Sequence, residues 1–234
     1  MQYRDPYIEI CIEGASSIFK VLSPSEKEML DQHHLVMNFR KGESILNEGS
    51  RPKGIICFAS GSAKLFSIGA GNREQIIKIL RPAEFVSFRT LFSDSPYPYS
   101  VVALEETSTV VFEKHNMSRI LRHNAELAIK FIKTISEDLI FSNKRLISLT
   151  QKHVRGRLAE SLLILRDTYG FDTDGRTLNA LLSREDLAHL SNMTTSNAIR
   201  TLSGFADENL VEIHGRKIVI LDLKQLEEIS ESGQ

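Results

Sequence analysis

Long apolar runs are missing from this sequence, and no stretch approaches the roughly 20 residues needed to span a bilayer. The opening, MQYRDPYIEICIEG, carries acids through its apolar part and does not read as a signal peptide. Cysteine is scarce. Cys11 and Cys57 stand alone, with no metal-ligand spacing and no disulfide framework. The simplest reading is a reduced, cytoplasmic protein that does not enter a membrane. Net charge is close to nil, 29 Lys+Arg against 30 Asp+Glu. Any contact with a polyanion must therefore come from a local patch and not from the field of the whole chain. Histidine is absent between His34 and His115. That region lacks the clustered ligands that a metal-binding barrel enzyme of the cupin kind needs. No Ser/His/Asp or Cys/His arrangement stands out as catalytic, so the chain does not read as an enzyme.

What is present is ordinary for a globular chain: 41% hydrophobic and 25% charged residues over 234 positions, enough for one large or two small domains. Residues 14 to 35 read as helical, with Ser23-Pro24-Ser25-Glu26 starting a helix. From Val36 to Phe112 the period changes to two. Short β-type runs are expected at Phe39 to Leu46, Gly54 to Ala59, Ala63 to Ile68, Gln75 to Leu80, Val101 to Leu104 and Thr109 to Phe112, punctuated by glycine turns. Such spacing suggests a barrel or sandwich.

From Asn116 the period returns to helical. Leu121, Ala125, Ala128, Ile132, Ile135, Leu139, Ser142, Leu146 and Leu149 alternate steps of four and three, the a/d seam of a coiled coil. A parallel pair of such helices makes a two-fold dimer. A second stripe, Leu127, Phe131 and Ile140, is placed to face the β region. Val154 to Tyr169 reads as one more helix.

The stretch from Ser183 to Ala206 carries most about function. Ser183 can cap a helix with Asp186 three residues on. Leu187, Ala188 and Leu190 form its apolar face. Asn192 tolerates the left-handed turn that follows. Thr194 can cap a second helix, in which Ala198, Ile199, Leu202 and Phe205 fall at helical spacing. Thr195, Ser196, Asn197 and Arg200 stay outside. Helix, short turn and helix is the pattern of a DNA-reading helix-turn-helix, although an αα-hairpin shares it. Two features favour DNA. No Asp or Glu occurs from Leu187 to Ala206, as a phosphate-facing surface requires. Two strand-like runs then follow, Asn209 to Ile213 and Lys217 to Leu221, joined at the basic tip His214-Gly215-Arg216. That is a wing placed to touch the DNA backbone.

The order of parts resembles the Crp/Fnr family of bacterial transcription regulators over essentially the whole chain. The phrases that match are Lys41-Gly42-Glu43-x-Ile45, Glu48-Gly49 and Ser60-Gly61-x-x-Lys64-Leu65-Phe66. Later ones are Leu182-Ser183-Arg184-Glu185-Asp186-Leu187-Ala188, Glu208-Asn209-Leu210-Val211 and His214-Gly215-Arg216. The resemblance implies an α+β chain. An antiparallel β-roll sensor domain would occupy 1–115, a dimerisation helix and hinge 116–150, and a winged helix-turn-helix domain 151–234. It implies a homodimer on a palindromic operator in double-stranded DNA, with RNA polymerase as partner. A second reading, a cyclic-nucleotide-type regulatory subunit acting on a protein partner, does not need the segment after Val154.

Carried over residue by residue, the resemblance shows departures. Where the family commonly has an Arg-Glu pair on its recognition helix, this chain has Thr195 and Ser196. Arg200 can still hold a guanine and Asn197 an adenine. Arg184, Thr194, His214, Arg216 and Lys217 are expected at phosphates. Cyclic-AMP binders resembling this family carry Gly-Glu before a Leu-Phe and Arg-Ser shortly after. Here Ser87-Phe88 precedes Leu91-Phe92, and none of Tyr97, Pro98 or Tyr99 is an Arg. A buried cyclic phosphate would lack its cation, so cyclic AMP in the usual mode is rejected. The expected pocket wall is Phe88, Arg89, Tyr97, Tyr99 and Ser100 from the β-roll, with Ser142 and Asn143 from the helix. An iron-sulfur cluster is excluded by the missing N-terminal cysteine cluster. Haem stays open, with His33, His34, His115 and His123 as candidate ligands that read first as surface histidines.

Overall fold

The computed structural model describes residues 3–93, 95–180 and 182–233. The chain divides into two compact units. One holds the residues up to Ile68 together with Ile77–Leu139, and the other holds Gly69–Ile76 together with the residues from Ile140 onward.

In the first unit α1 (Pro6–Glu13) starts on Asp5, whose carboxylate accepts the Tyr7 N–H. Its buried side is Ile8, Cys11 and Ile12. A 3₁₀ turn at Ile18–Val21 precedes α2 (Pro24–Gln32), which opens with a complete capping box between Ser23 and Glu26. The helical reading of 14 to 35 therefore holds only in part. The chain leaves the helix at His33 and enters β1 (His34–Phe39), whose alternating Val36 packs inward while Leu35 and Met37 do not.

Seven more strands follow: β2 (Ser44–Leu46), β3 (Gly54–Ser60), β4 (Ala63–Ile68), β5 (Glu74–Leu80), β6 (Phe85–Val86), β7 (Ser100–Ala103) and β8 (Thr107–Glu113). They form two four-stranded sheets, ordered β1-β8-β3-β6 and β2-β7-β4-β5. The β3–β4 turn depends on Gly61. Its φ is +74°, and a Cβ there would lie 2.3 Å from the Glu106 carbonyl oxygen.

One apolar cluster joins the sheets through Phe58, Ala63, Leu65, Leu80, Val86 and Val101. The other lies on the far face of the first sheet. There Ile55, Cys57, Val110 and Phe112 meet α1, α4 (Lys114–His123) and the start of α5 (Ala125–Gln151). Between β6 and β7 the chain makes α3 (Phe88–Ser93), which the sequence reading did not expect. The rings of Phe19, Phe85, Phe88, Phe112 and Phe131 form one tilted cluster, with centroids 5.2 to 6.3 Å apart. Each such pair is worth about 0.5–1.5 kcal/mol beyond its burial. The two cysteines share this cluster, and burial above all pushes the Cys57 thiol pKa up.

The helix expected from Asn116 to Leu149 is two helices. Asn124 breaks it with an extended backbone, and its side-chain oxygen accepts the Leu127 N–H at 2.9 Å, capping α5. Leu121 accordingly lies on α4 and packs, like Ile135, against the first unit's core. Leu127 and Phe131 face that core as expected, but Ile140 is 54% exposed. Ile132, Leu139 and Leu146 remain exposed at intervals of seven, flanked by Ile129 and Ile147.

The second unit contains α6 (Val154–Tyr169), α7 (Arg184–Leu190), α8 (Thr195–Asp207), β9 (Val211–His214), β10 (Lys217–Ile220) and α9 (Leu223–Ser232). Leu158, Leu162, Leu187, Leu190, Leu202, Phe205 and Leu226 make its core. The last turns of α5 are tied to it by a buried cation. Arg145 donates to Glu160 of α6 at 2.9 Å and to the Leu190 carbonyl at 2.6 Å, the carbonyl that ends α7. Desolvation lowers the Arg145 pKa, and Glu160 opposes that shift. Ser148 and Lys152 also bind Glu160.

Removing one partner of a buried ion pair typically costs about 3–5 kcal/mol, because the other charge is stranded. Arg145→Ala is expected to unfold the second unit at lower urea while leaving the first unit's transition in place. Amide exchange on α7 and α8 set against exchange on β3 and β8 is the measurement. Equal loss of protection in both units would contradict the assignment.

Candidate functional site

The helix-turn-helix forms as its sequence suggests. Ser183 Oγ accepts the Asp186 N–H at 2.9 Å and caps α7. The turn passes through Asn192 at φ +49°. Thr194 Oγ accepts the Asn197 N–H at 3.2 Å and caps α8. Buried Ser191 stiffens the pair by donating to Leu187 O and bonding Ser161 of α6, both at 2.8 Å. The residues Gly69–Ile76 join this unit through Gln75, whose amide donates to the His189 carbonyl at 2.8 Å.

α8 buries Ala198, Leu202 and Phe205 and leaves an outward face. Ser196 and Arg200 are exposed on it, and Thr195 and Asn197 are half-buried. Arg200 Nη2 donates to Asn197 Oδ1 at 2.8 Å, so the two candidate base readers hold each other one turn apart. Ile199, expected inside by its spacing, is 48% exposed on this face. Only its exposure in the folded helix marks it as a candidate contact. An apolar side chain there suits a thymine methyl.

The candidate phosphate ligands divide. Arg216 is exposed at the wing tip, and no side chain among the described residues neutralises it. Lys217 pairs with Asp172 at 3.6 Å across the surface. Such a pair is worth about 0–1 kcal/mol, so a phosphate can replace the acid. His214 lies 3.1 Å from Glu212, an acid on the wing itself. Arg184 donates to the Gly215 carbonyl at 2.6 Å, and burial lowers its pKa. It staples the start of α7 to the wing turn, which bends at Gly215 with φ +60°. Sequence alone gave it a free cation's role because the wing's position is a tertiary fact.

Of the residues expected to wall an effector pocket, Tyr97 lines a cleft together with Leu35, Met37 and Ile56. Phe88 is 5% exposed and packs on Phe85 at 5.2 Å, inside the aromatic cluster. Arg89 leans out to pair with Asp138 at 3.1 Å. Tyr97 and Tyr99 are buried beside each other, ring centroids 6.0 Å apart. Burial is the main cause of the raised pKa of each phenol. Ser87 lies beside both phenols and, against that rise, lowers the pKa of each. Ser87 is fully buried with φ +78°, a left-handed conformation that costs a non-glycine residue about 1–2 kcal/mol. Ser100 accepts the Glu48 N–H at 3.0 Å. Ser142 is half-buried and Asn143 exposed on the part of α5 that belongs to the second unit. Of the haem-candidate histidines, His34 and His123 each bond a ring nitrogen to a local carbonyl, Asp31 O and Arg119 O. Among the described residues no helix is long and apolar enough to cross a membrane.

Two families match this chain: a cyclic nucleotide-binding domain over residues 36–124 and a Crp-like helix-turn-helix domain over residues 156–229. The chain is 22% identical over 216 residues to a CRP-like cAMP-activated global transcriptional regulator of Mycobacterium tuberculosis, covering 92% of this chain and 96% of that protein. It is 23% identical over 203 residues to the anaerobic regulatory protein of Bacillus subtilis, covering 86% and 85%. In fold it is similar to FixK2 from Bradyrhizobium japonicum, at TM-score 0.76 and 18% identity over 84% of this chain and 97% of that one. A Crp/Fnr-family transcriptional regulator from Eubacterium rectale gives TM-score 0.73 at 18% identity over 92% and 97%. With both halves matched in order, the chain belongs to the Crp/Fnr family of DNA-binding transcription regulators and not to a family of enzymes.

Proposed function

We propose that two copies of this chain pair through α5 and present their α8 helices to the half-sites of a palindromic operator. The observation that carries this reading is the bare heptad row Ile132, Leu139 and Leu146 on a helix that ends on the helix-turn-helix unit. Exposed large aliphatics repeating every seven residues suit a helix seam, and a two-fold pair suits two half-sites one helical turn apart. The exposed residues redraw the seam: Ala128, Ile132, Leu139, Ser142 and Leu146 stay on or beside it, Ile129 joins it, and Leu121 and Ile135 support the β-roll core.

On DNA, Arg200 and Asn197 read bases in the major groove, with Thr195, Ser196 and Ile199 beside them. Thr194, Arg216, Lys217 and His214 hold backbone, and Arg184 holds the wing in place to do so. RNA polymerase is the downstream partner and the cytoplasm the location. The signal is not cyclic AMP in its usual mode. The relatives' names already divide, one cAMP-activated and another anaerobic. By the resemblance, Ser87-Phe88 stands in place of the Gly-Glu pair of cyclic-AMP binders, and Tyr97, Pro98 and Tyr99 supply no Arg for the phosphate.

Leu139→Asp puts a carboxylate against its symmetry mate in the proposed seam, at several kcal/mol per ion. Leu139 is 59% exposed in the single chain, so the variant is expected to fold and to sediment as a monomer. A dimer of unchanged affinity would refute the seam.

Arg216→Ala is expected to weaken binding to operator and random DNA alike and to reduce the salt slope by about one. Arg200→Ala is expected to lose about 1–3 kcal/mol of discrimination at one base position per half-site. Fluorescence anisotropy on both DNAs across a salt series separates them, and identical losses for the two variants would overturn the division of roles.

Calorimetric titration of the full chain with cyclic AMP is expected to show no saturable binding at micromolar concentration. Tight binding would show that the tyrosine-filled β-roll opens for the nucleotide after all.

A further inference from the structure

The face of β1, β8 and β3 that turns away from α1 and α4 carries aliphatic side chains, of which Ile56 packs, with Ile45, against the cluster that joins the sheets. Strand alternation puts Val36, Cys57 and Val110 into the helix-side core and Leu35, Met37, Ile56 and Val111 on the opposite face. Register sets Leu35 opposite Val111 and Val111 opposite Ile56, one row across three strands. With Ile45 and the Tyr97 ring they line a cleft of about 350 Å³, the lower end of the range for small-molecule sites. Leu35 is 58% exposed and Met37 39%, on an edge strand, where bare aliphatics invite a cover.

The cleft also has a polar lining, Asn47, Ser50, Arg51 and Lys53. Arg51 and Lys53, on the loop between β2 and β3, line it and are exposed, and no side chain among the described residues neutralises either. No carboxylate is part of the lining. An aliphatic lining with two uncompensated cations complements an apolar tail that carries an anion. We infer that this cleft binds a single-chain carboxylate of the fatty-acid type. The chain lies on Leu35, Met37, Ile56 and Val111, and the carboxylate meets Arg51 and Lys53. The site lies wholly within the first unit, shares the Tyr97 ring with the Ser87–Tyr97–Tyr99 cluster, and does not depend on DNA binding or dimerisation.

The test is calorimetric titration of the full chain with sodium dodecanoate, decanoate and octanoate, with dodecanol as the uncharged control, all below the concentrations at which they form micelles. Dodecanoate is expected to bind saturably, and affinity to fall about fourfold per methylene removed. Dodecanol is expected to bind at least about tenfold more weakly, for want of charge-assisted hydrogen bonds. Arg51→Glu/Lys53→Glu changes only exposed, unpaired side chains and should abolish the preference for the carboxylate over the alcohol. Met37→Asp, checked by circular dichroism, should weaken both ligands. The inference fails if dodecanoate does not saturate, if the alcohol binds equally well, or if either variant leaves dodecanoate binding unchanged.

Discussion

One helix with two apolar stripes sets the terms for the rest of this protein. α5 is 27 residues long and buries only part of its apolar surface. Leu127 and Phe131 lock its first turns into the aromatic cluster on the β1-β8-β3-β6 sheet. Arg145 and Ser148 lock its last turns to Glu160 and to the end of α7. What neither attachment covers is the row Ile132, Leu139, Leu146. The two stripes lie about a third of a turn apart, and the uncovered one is the seam proposed for a second chain.

The contact that couples this helix to DNA reading is made by a charge and not by packing alone. Arg145 is 7% exposed, and its guanidinium satisfies a carbonyl at the point where α7 ends and the turn to α8 begins. A backbone carbonyl at a helix C-terminus needs a donor, and a cation there is doubly favoured by the helix dipole. Any change in α5 beyond Ile140 is thereby felt at the turn that sets α8. The Ser191–Ser161 hydrogen bond braces the same turn from beneath.

The first unit has the frame of a nucleotide-binding domain and a different interior. Ser87 stands where a glycine would be unstrained, keeps φ +78°, and lies beside two buried phenols. The strain persists because the surroundings over-determine it. Tyr97 and Tyr99 are both buried, with ring centroids 6.0 Å apart. The Leu35–Val111–Ile56 row and its two cations share the Tyr97 ring with that cluster.

Local chemistry is what the chain announces on its own. Caps at Ser23, Ser183 and Thr194, the left-handed turn at Asn192 and the glycine-punctuated strands all follow from residue type, because each is decided within a few neighbours. So is the outward placing of Arg200 and Asn197 on α8, in a stretch without acids from Leu187 to Ala206. Partnership is what tertiary structure alone decides. Period four-three marks α5 as a seam but does not say which stripe meets which surface, so Leu121 and Ile135 turn to the sheet while Ile129 turns to solvent. Asn124 breaks the helix because Leu127 must reach the core and Asn124 can cap the new start. Arg184 reads as a free cation until the wing folds back and offers the Gly215 carbonyl. Tyr97 and Tyr99 read alike as pocket walls, and only the fold shows both buried, with Tyr97 lining the cleft beside Leu35 and Ile56. The long-range neighbour, not the residue, fixes each of these, and a sequence read through its local periodicities carries no record of which distant group will be there.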